Sequence, residues 1–351
     1  MQFISNIHHK AFHYCSENNF PVFFMPAYFD LLKSSNHQLI LAYSEETNAY
    51  MPIKIWKSLF LTIATCLYQP LNNDGPLSAE EEKNFLEKFI ESAKKEKLAH
   101  RISAPNNTAV FLSSPTESVF APFGTYKLNL YPNSYENIVA KFQARYRTAV
   151  RQAEASELTI EYGKKCLNDF YELHKITMKR SEMYVAPLSY FQNYFDKMPD
   201  NILLSVAYSG TEPIGALFLT YTPHSAQYLY GCSSDNIKAS GAIKWLHADA
   251  MKNLLGKKVK EYDFVGARLT ELSAKLKGIQ EFKSRFGTTL NKGIIWKKNL
   301  DEAKCTVYDA LLKAKLLISK NKLPKDIIDQ ELEKLIASET VAKTYDSKNK
   351  H

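Results

Sequence analysis

The chain lacks the cysteine pattern of a metal or disulfide protein. Its five cysteines, Cys15, Cys66, Cys166, Cys232 and Cys305, are odd in number and scattered, and no two share C-x-x-C spacing. That excludes a zinc ribbon and a disulfide framework and suits reduced thiols in a cytoplasm. No uninterrupted apolar run approaches the about 18 residues of a membrane helix, so no span is expected. The opening residues Met1-Gln2-Phe3-Ile4-Ser5-Asn6 carry no basic stretch leading into an apolar one, so no signal peptide is expected. A G-x-S-x-G elbow, H-E-x-x-H, a G-x-x-x-x-G-K-[ST] loop and a G-x-G-x-x-G fingerprint are all missing. Their absence removes hydrolase, zincin, P-loop and Rossmann readings together.

What remains is a long chain with ample core material. With 351 residues, 45% hydrophobic and 13% aromatic, it suits two domains of about 100–200 residues each. The net charge of +8 is concentrated in two stretches. One runs Lys141-Phe-Gln-Ala-Arg145-Tyr-Arg147-Thr-Ala-Val-Arg151 and the other from Lys275 to Lys298. Positive charge gathered this way attracts phosphates or another anion, or else forms solvated helix faces. His8, His9 and His13 cluster near the start, but no carboxylate or cysteine completes a ligand set, so no metal site is expected.

Two stretches share one order of elements. Residues 38–104 read as apolar runs at Gln38–Tyr43, Tyr50–Ile55 and Leu59–Cys66, then a break at Asp74-Gly75-Pro76. A helix follows from Ser78, with Glu80, Glu81 and Glu82 in its first turn and Phe85, Phe89 and Ile90 on one face. His100–Ser103 then returns as a strand. Residues 201–266 repeat the order, with strands at Asn201–Tyr208, Ile214–Tyr221 and Gln227–Gly231. A helix from about Gly241 to Leu255 and a closing strand Tyr262–Val265 complete it. The pattern predicts two mixed α/β sheets covered by helices, joined by helices over about 134–157 and 168–183. A helical region is expected after Trp296, broken at Pro324 and fraying from Asp346.

The segment Gly278-Ile-Gln-Glu-Phe282-Lys283-Ser-Arg285-Phe286-Gly287 is the most informative. Phe282 and Phe286, four residues apart, anchor a short helix. Lys283 and Arg285 lie off that face, and Gly287 ends the helix. A lysine held against aromatic rings can bind phosphate or stabilise an oxyanion. Gly278-x-x-x-Phe282-Lys283-x-x-Phe286-Gly287 resembles a signature of the Fem-type peptidoglycan-bridge aminoacyltransferases. Further weak matches agree in order. They are the Arg145–Arg151 helix running to Ala153 and Leu158-Thr-Ile160, then Glu261-Tyr262-Asp263-Phe264-Val265-Gly266 beside the family's Y-D-F-G-G, and the turn at Asp74-Gly75-Pro76.

The resemblance implies tandem GNAT-like halves over 1–133 and 134–300, with a helical extension over 301–351 and a substrate channel between or beside the halves. It implies transfer of an acyl or aminoacyl group to an amine of a nucleotide- or lipid-linked peptidoglycan or polysaccharide precursor, in the cytoplasm. Lys283, with Asp263, would act at the transfer site. Arg145, Arg147 and Arg151 would hold substrate phosphates, while Tyr230, Phe282 and Arg285 would line the channel. The donor is either a charged tRNA or an acyl-CoA. The coiled coil that family members use with tRNA has no counterpart in 160–200, which Pro187 and Pro199 interrupt. The nearest segment to the CoA loop R/Q-x-x-G-x-G/A is Lys238-Ala-Ser-Gly241-Ala-Ile243, so neither donor is singled out. An ordinary CoA-dependent GNAT enzyme, or a non-catalytic module binding RNA or a nucleotide-sugar, would use the same basic and aromatic residues. No DNA partner is expected.

Overall fold

A computed structural model describes residues 1–33, 36–104, 107–236, 239–270, 273–318 and 326–336. Lys238 and the tail from Asp346 lie outside these residues.

The first half opens with β1 (Gln2–Ile4), α1 (Lys10–Glu17) and α2 (Pro26–Leu32). It continues as the meander β2 (His37–Ser44), β3 (Ala49–Ser58) and β4 (Leu61–Cys66), then the small hairpin β5 (Leu71–Asn72) and β6 (Gly75–Pro76). Helix α3 (Ala79–Lys95) and β7 (Arg101–Ser103) follow. The start of α3 is fixed by a reciprocal capping box. The Ser78 hydroxyl accepts from the Glu81 amide while the Glu81 carboxylate accepts from the Ser78 amide, an arrangement worth about 1 kcal/mol.

Next come β8 (Val119–Asn129), α4 (Tyr135–Ala140), α5 (Ala144–Glu154) and β9 (Leu158–Tyr162), then α6 (Leu167–Arg180) and α7 (Leu188–Lys197). The second meander is β10 (Ile202–Ser209), β11 (Glu212–Tyr221) and β12 (Ser225–Ser233), followed by α8 (Ala239–Gly256), β13 (Glu261–Asp263) and β14 (Ala267–Arg268). The chain continues as α9 (Ala274–Ser284), β15 (Thr289–Asn299), α10 (Glu302–Ile318) and a final helix over 327–336.

The expected pair of separate sheets is corrected to one. The strands run β1-β2-β3-β4-β7-β15-β8-β13-β12-β11-β10-β9 in a single continuous mixed sheet. Each meander ends in a parallel crossover, β4 to β7 and β12 to β13, so the two halves repeat in topology. They become one sheet because β15 inserts between β7 and β8, antiparallel to both. The expected single helix over 134–157 is two, α4 and α5, with a break at 141–143.

Helices cover both faces, as a mixed sheet requires. Alternate residues of β2 show the division. Ile40 and Ala42 pack under α3 with Phe85 and Phe89, whereas Leu39 and Leu41 join a second core with α1 and α2. That second core is shared. It includes Phe170, Phe191 and Phe218 from the α6, α7 and β11 side, so one hydrophobic core spans both halves. Lys197 on α7 reaches Asp30 on α2 at 2.6 Å across the same junction. A third core, beneath α5, α8 and α9, holds Tyr146, Leu246, Tyr262, Phe264 and Phe286.

Candidate active site

The centre of interest is where α9 meets the end of β13. Phe286 is fully buried, with ring centroids 5.0 Å from Tyr146 and 5.1 Å from Phe142. Phe282 is only partly buried and packs on Phe286 and His247 at 5.2 and 5.5 Å. Gly287 ends the helix at φ +71°, and a Cβ there would sit 2.5 Å from the Lys141 carbonyl oxygen. Only glycine satisfies both the backbone and the contact. The aromatic anchors and the glycine together set the rotation of α9.

That rotation carries Lys283 inward. It is 8% exposed, and its ammonium donates to the carbonyls of Val265 and of Gly266, the latter at 2.7 Å. These carbonyls are turned toward it by two successive left-handed residues, Val265 at φ +46° and Gly266 at φ +41°. A β-branched residue in that region is strained, and Val265 stands where the Y-D-F-G-G pattern has glycine. A lysine ammonium has three N–H donors, and two are used here. Burial pushes its pKa down to about 8, partly offset by the charge of Asp263. At neutral pH it therefore remains a cation with one N–H to spare.

Asp263, 2% exposed, stands two residues before this turn. Its Oδ1 accepts from the Thr125 hydroxyl and, at 2.7 Å, from the Val265 amide. Its Oδ2 lies 4.0 Å from the Lys127 ammonium, which pairs with Glu261 at 2.8 Å. Burial raises the Asp263 pKa, and the Lys127 charge opposes that rise.

Asp263 also lines a cavity of about 110 Å³ at the seam between the halves. Tyr68, Gln69 and Glu82 face it from the first half, Thr125 and Lys127 from β8, and Asn291 and Lys292 from β15. The cavity lies between the halves, the insertion of β15 builds one of its walls, and Lys283 is not among the residues that line it.

The arginines of α5 sit nearby on the outer side of α9, tied to it by the Gln143 amide donating to the Arg285 carbonyl at 2.9 Å. Arg145 is exposed, with its guanidinium 5.9 Å from the Tyr146 ring centroid, and Lys244 of α8 approaches the same ring at 5.2 Å. Arg147 donates to the Ala140 and Phe142 carbonyls, which fastens the α4–α5 corner. Arg151 is exposed at the end of α5. Arg285 pairs with Glu281 at 2.7 Å. Tyr230 lies among the aromatics of α6 and α7, 5.2 Å from Phe191 and 5.4 Å from His174, and does not line the cavity. The structure therefore brings Lys283 and Asp263 together and sets the arginines on a separate outer surface. His9 caps α1, accepting from the Ala11 amide, and no cluster of metal ligands occurs among the described residues.

The residue that sequence reasoning missed is Glu82. Its place in an acidic first turn reads as solvent-facing, yet it is 1% exposed. Its Oε1 accepts from the amides of Leu112 and Ser113, both at 2.8 Å, and from the Ser113 hydroxyl. Burial raises its pKa to about 7 despite those bonds. No motif marks it. The only signal was an acid beside the apolar stripe of Phe85, Phe89 and Ile90.

Residues 140–284 match the acetyltransferase (GNAT) domain family. The chain is similar in structure to FemX, with a TM-score of 0.65 at 15% identity, covering 88% of this chain and 99% of that one. It is also similar to the C-terminal domain of a putative lysylphosphatidylglycerol synthetase from Agrobacterium fabrum. There the TM-score is 0.51 at 14% identity, covering 81% and 90%. No curated protein matches the sequence. No described helix is long and apolar enough to cross a membrane.

Proposed function

Because the chain has a Fem-type tandem GNAT fold with a GNAT domain over 140–284, we propose that it transfers an acyl or aminoacyl group to an amine of a cell-envelope precursor. The reaction would occur where Lys283 and Asp263 meet the seam between the halves.

The observation that carries this reading is the state of Lys283. A buried ammonium with two N–H groups fixed on carbonyls and no third partner among the described residues is a preorganised cation shielded from solvent. Attack of an amine on an activated acyl carbon forms the C–N bond and places negative charge on the carbonyl oxygen. A donor already in position stabilises that charge without reorganising, and one such donor is typically worth about 10²–10³ in rate. As the oxyanion collapses, the nitrogen loses one proton to solvent, the bond to the thiol or hydroxyl leaving group breaks, that group takes a proton, and the amide is formed. Asp263 acts here as a positioning residue. It receives the Val265 amide and so holds the strained turn whose carbonyls orient Lys283. The exposed Arg145 and Arg151, with Lys244, form a basic surface suited to substrate phosphates, and a tRNA ester or a CoA thioester would each supply an activated carbonyl.

Thermal-shift screening against acetyl-CoA, charged tRNA and nucleotide-linked sugars finds the donor and acceptor. A ligand at 100 times its Kd adds about 2.7 kcal/mol of stability. Mass analysis of a mixture holding both then shows an amide product with the wild type. Tight binding of one ligand with no product from any pair would overturn the enzymatic reading in favour of a binding module.

A further inference from the structure

We propose that the outer face of α10, with the tip of the β3–β4 hairpin beside it, is the surface through which two copies of this chain pair, their α10 helices running antiparallel.

Helix α10 carries two apolar faces where a helix on a surface needs one. The inner face buries Cys305 and Tyr308 and packs Leu312 against Leu61, Ile63 and Trp56. Arg101 of β7 fixes its rotation by donating to both oxygens of Asp309 at 2.9 and 2.7 Å. That rotation turns Val307 and Leu311 outward, 53% and 47% exposed. Ala303, Ala310 and Ala314 are exposed on the same side. Positions 303, 307, 310 and 314 recur at the four- and three-residue steps of a seam between paired helices. The alanines among them leave room for a second helix to come close.

The hairpin tip extends this surface. Ser58 pairs with Leu61, so Leu59 and Phe60 form a two-residue loop, where asparagine and glycine are favoured. Leu59 is held at φ +54° and is 70% exposed, and Phe60 is 45% exposed. A leucine in the left-handed region is strained, and placing it in water gains this fold nothing. The Phe60 ring lies 6.2 Å from that of Tyr308, whose hydroxyl donates to the Ser58 hydroxyl at 2.8 Å. Tip and helix are therefore joined.

Charge identifies the occupant as a second copy. Glu302 and Lys313 are both exposed and stand at opposite ends of the stripe. Eleven residues are about three turns, so the two share one flank of the helix. A two-fold axis across the stripe keeps that flank and reverses the order of residues. Glu302 of each copy then meets Lys313 of the other, an isologous contact that closes on itself. A parallel pair would put the two charged flanks on opposite sides of the seam. Lys304, on the other flank, is engaged by Asp301 at 3.4 Å, and Asp309 is held by Arg101, so no like charges face each other. The 17 residues of α10 make a strip about 25 Å long and about 10 Å wide. That is less than the about 800 Å² per partner of a standard interface, so the pair should dissociate in the micromolar range. Residues of α10 take no part in the seam cavity, and the inference does not depend on the acyl-transfer reading.

Sedimentation velocity of the full-length protein from about 1 to 200 μM tests it. The wild type should show a reversible monomer–dimer equilibrium. Val307→Glu, at an exposed position, should weaken it at least about tenfold with Tm unchanged, and Leu59→Asn, which suits the turn, should weaken it too. Glu302→Lys or Lys313→Glu alone should weaken the dimer about fivefold, and the two together should restore it to within about twofold of wild type. A wild type that is monomeric throughout overturns the inference, as does a Val307→Glu dimer within about twofold of wild type. Failure of the double reversal to recover overturns the antiparallel pairing. A monomer that instead co-sediments with phosphatidylglycerol vesicles assigns the patch to a membrane surface and also overturns it.

Discussion

A buried lysine kept charged for chemistry should weaken the fold, and Lys283 allows the effect to be measured without a substrate. Its pKa falls from the ordinary 10.5 to about 8, because burial disfavours the charged form. Below pH 8 folded and unfolded chains both carry the proton, and the fold bears the full cost of the buried charge. Between pH 8 and 10.5 the unfolded chain holds more protons than the folded one, so stability rises with pH across that window. Above 10.5 the contribution is level. At about 1.4 kcal/mol per tenfold change in protonation equilibrium, the span corresponds to about 3 kcal/mol. Lys283→Met lacks this titration and keeps the stem, so the remaining alkaline groups cancel when the two proteins are compared. Urea unfolding at intervals from pH 7.5 to 10.5 should show the wild type gaining about 3 kcal/mol relative to Lys283→Met. Loss of the two carbonyl partners offsets the curves by a constant and leaves their slopes alone. Parallel curves would refute the burial of the ammonium and, with it, the preorganised site.

Other outcomes follow from the same geometry. Glu82 has the opposite sign: its pKa rises from 4.5 to about 7, so the wild type should lose up to about 3 kcal/mol relative to Glu82→Gln as pH rises from 4.5 to 7, measured by the same unfolding assay. Gly287→Ala should cost about 1–3 kcal/mol for the left-handed backbone alone, with more from overlap with Lys141, and lower Tm accordingly. Arg145→Ala should weaken binding of a phosphate-bearing substrate by about 1.5–3 kcal/mol in calorimetry, at unchanged Tm.

The repeated half was legible because its signals are local. The apolar runs at Gln38–Tyr43 and Ile214–Tyr221 and the cap at Ser78 appear in the structure as β2, β11 and the start of α3. The strands that join the halves were not legible. β8 contains Pro122 and Gly124, and β15 contains Gly293 among lysines, features that read locally as breaks or as a charged stretch. Their strand character comes from pairing with each other over nine residues, a contact between distant parts of the chain. This is why one sheet was read as two. Lys283 was found through its motif, but its setting was not. The Phe282 and Phe286 spacing suggested a lysine turned away from the core, whereas the left-handed turn at Val265 and Gly266 offers carbonyls that draw it in. Glu82 was hidden because burial of a first-turn acid depends on the chain at 112–113 folding over α3.

The central claim is that the Lys283 ammonium stabilises the oxyanion of acyl transfer, and single-turnover kinetics test it most directly. With the donor and acceptor found by screening, Lys283→Met should bind the donor as the wild type does and form amide at least about tenfold more slowly. Amide formation by Lys283→Met at the wild-type rate would contradict the claim.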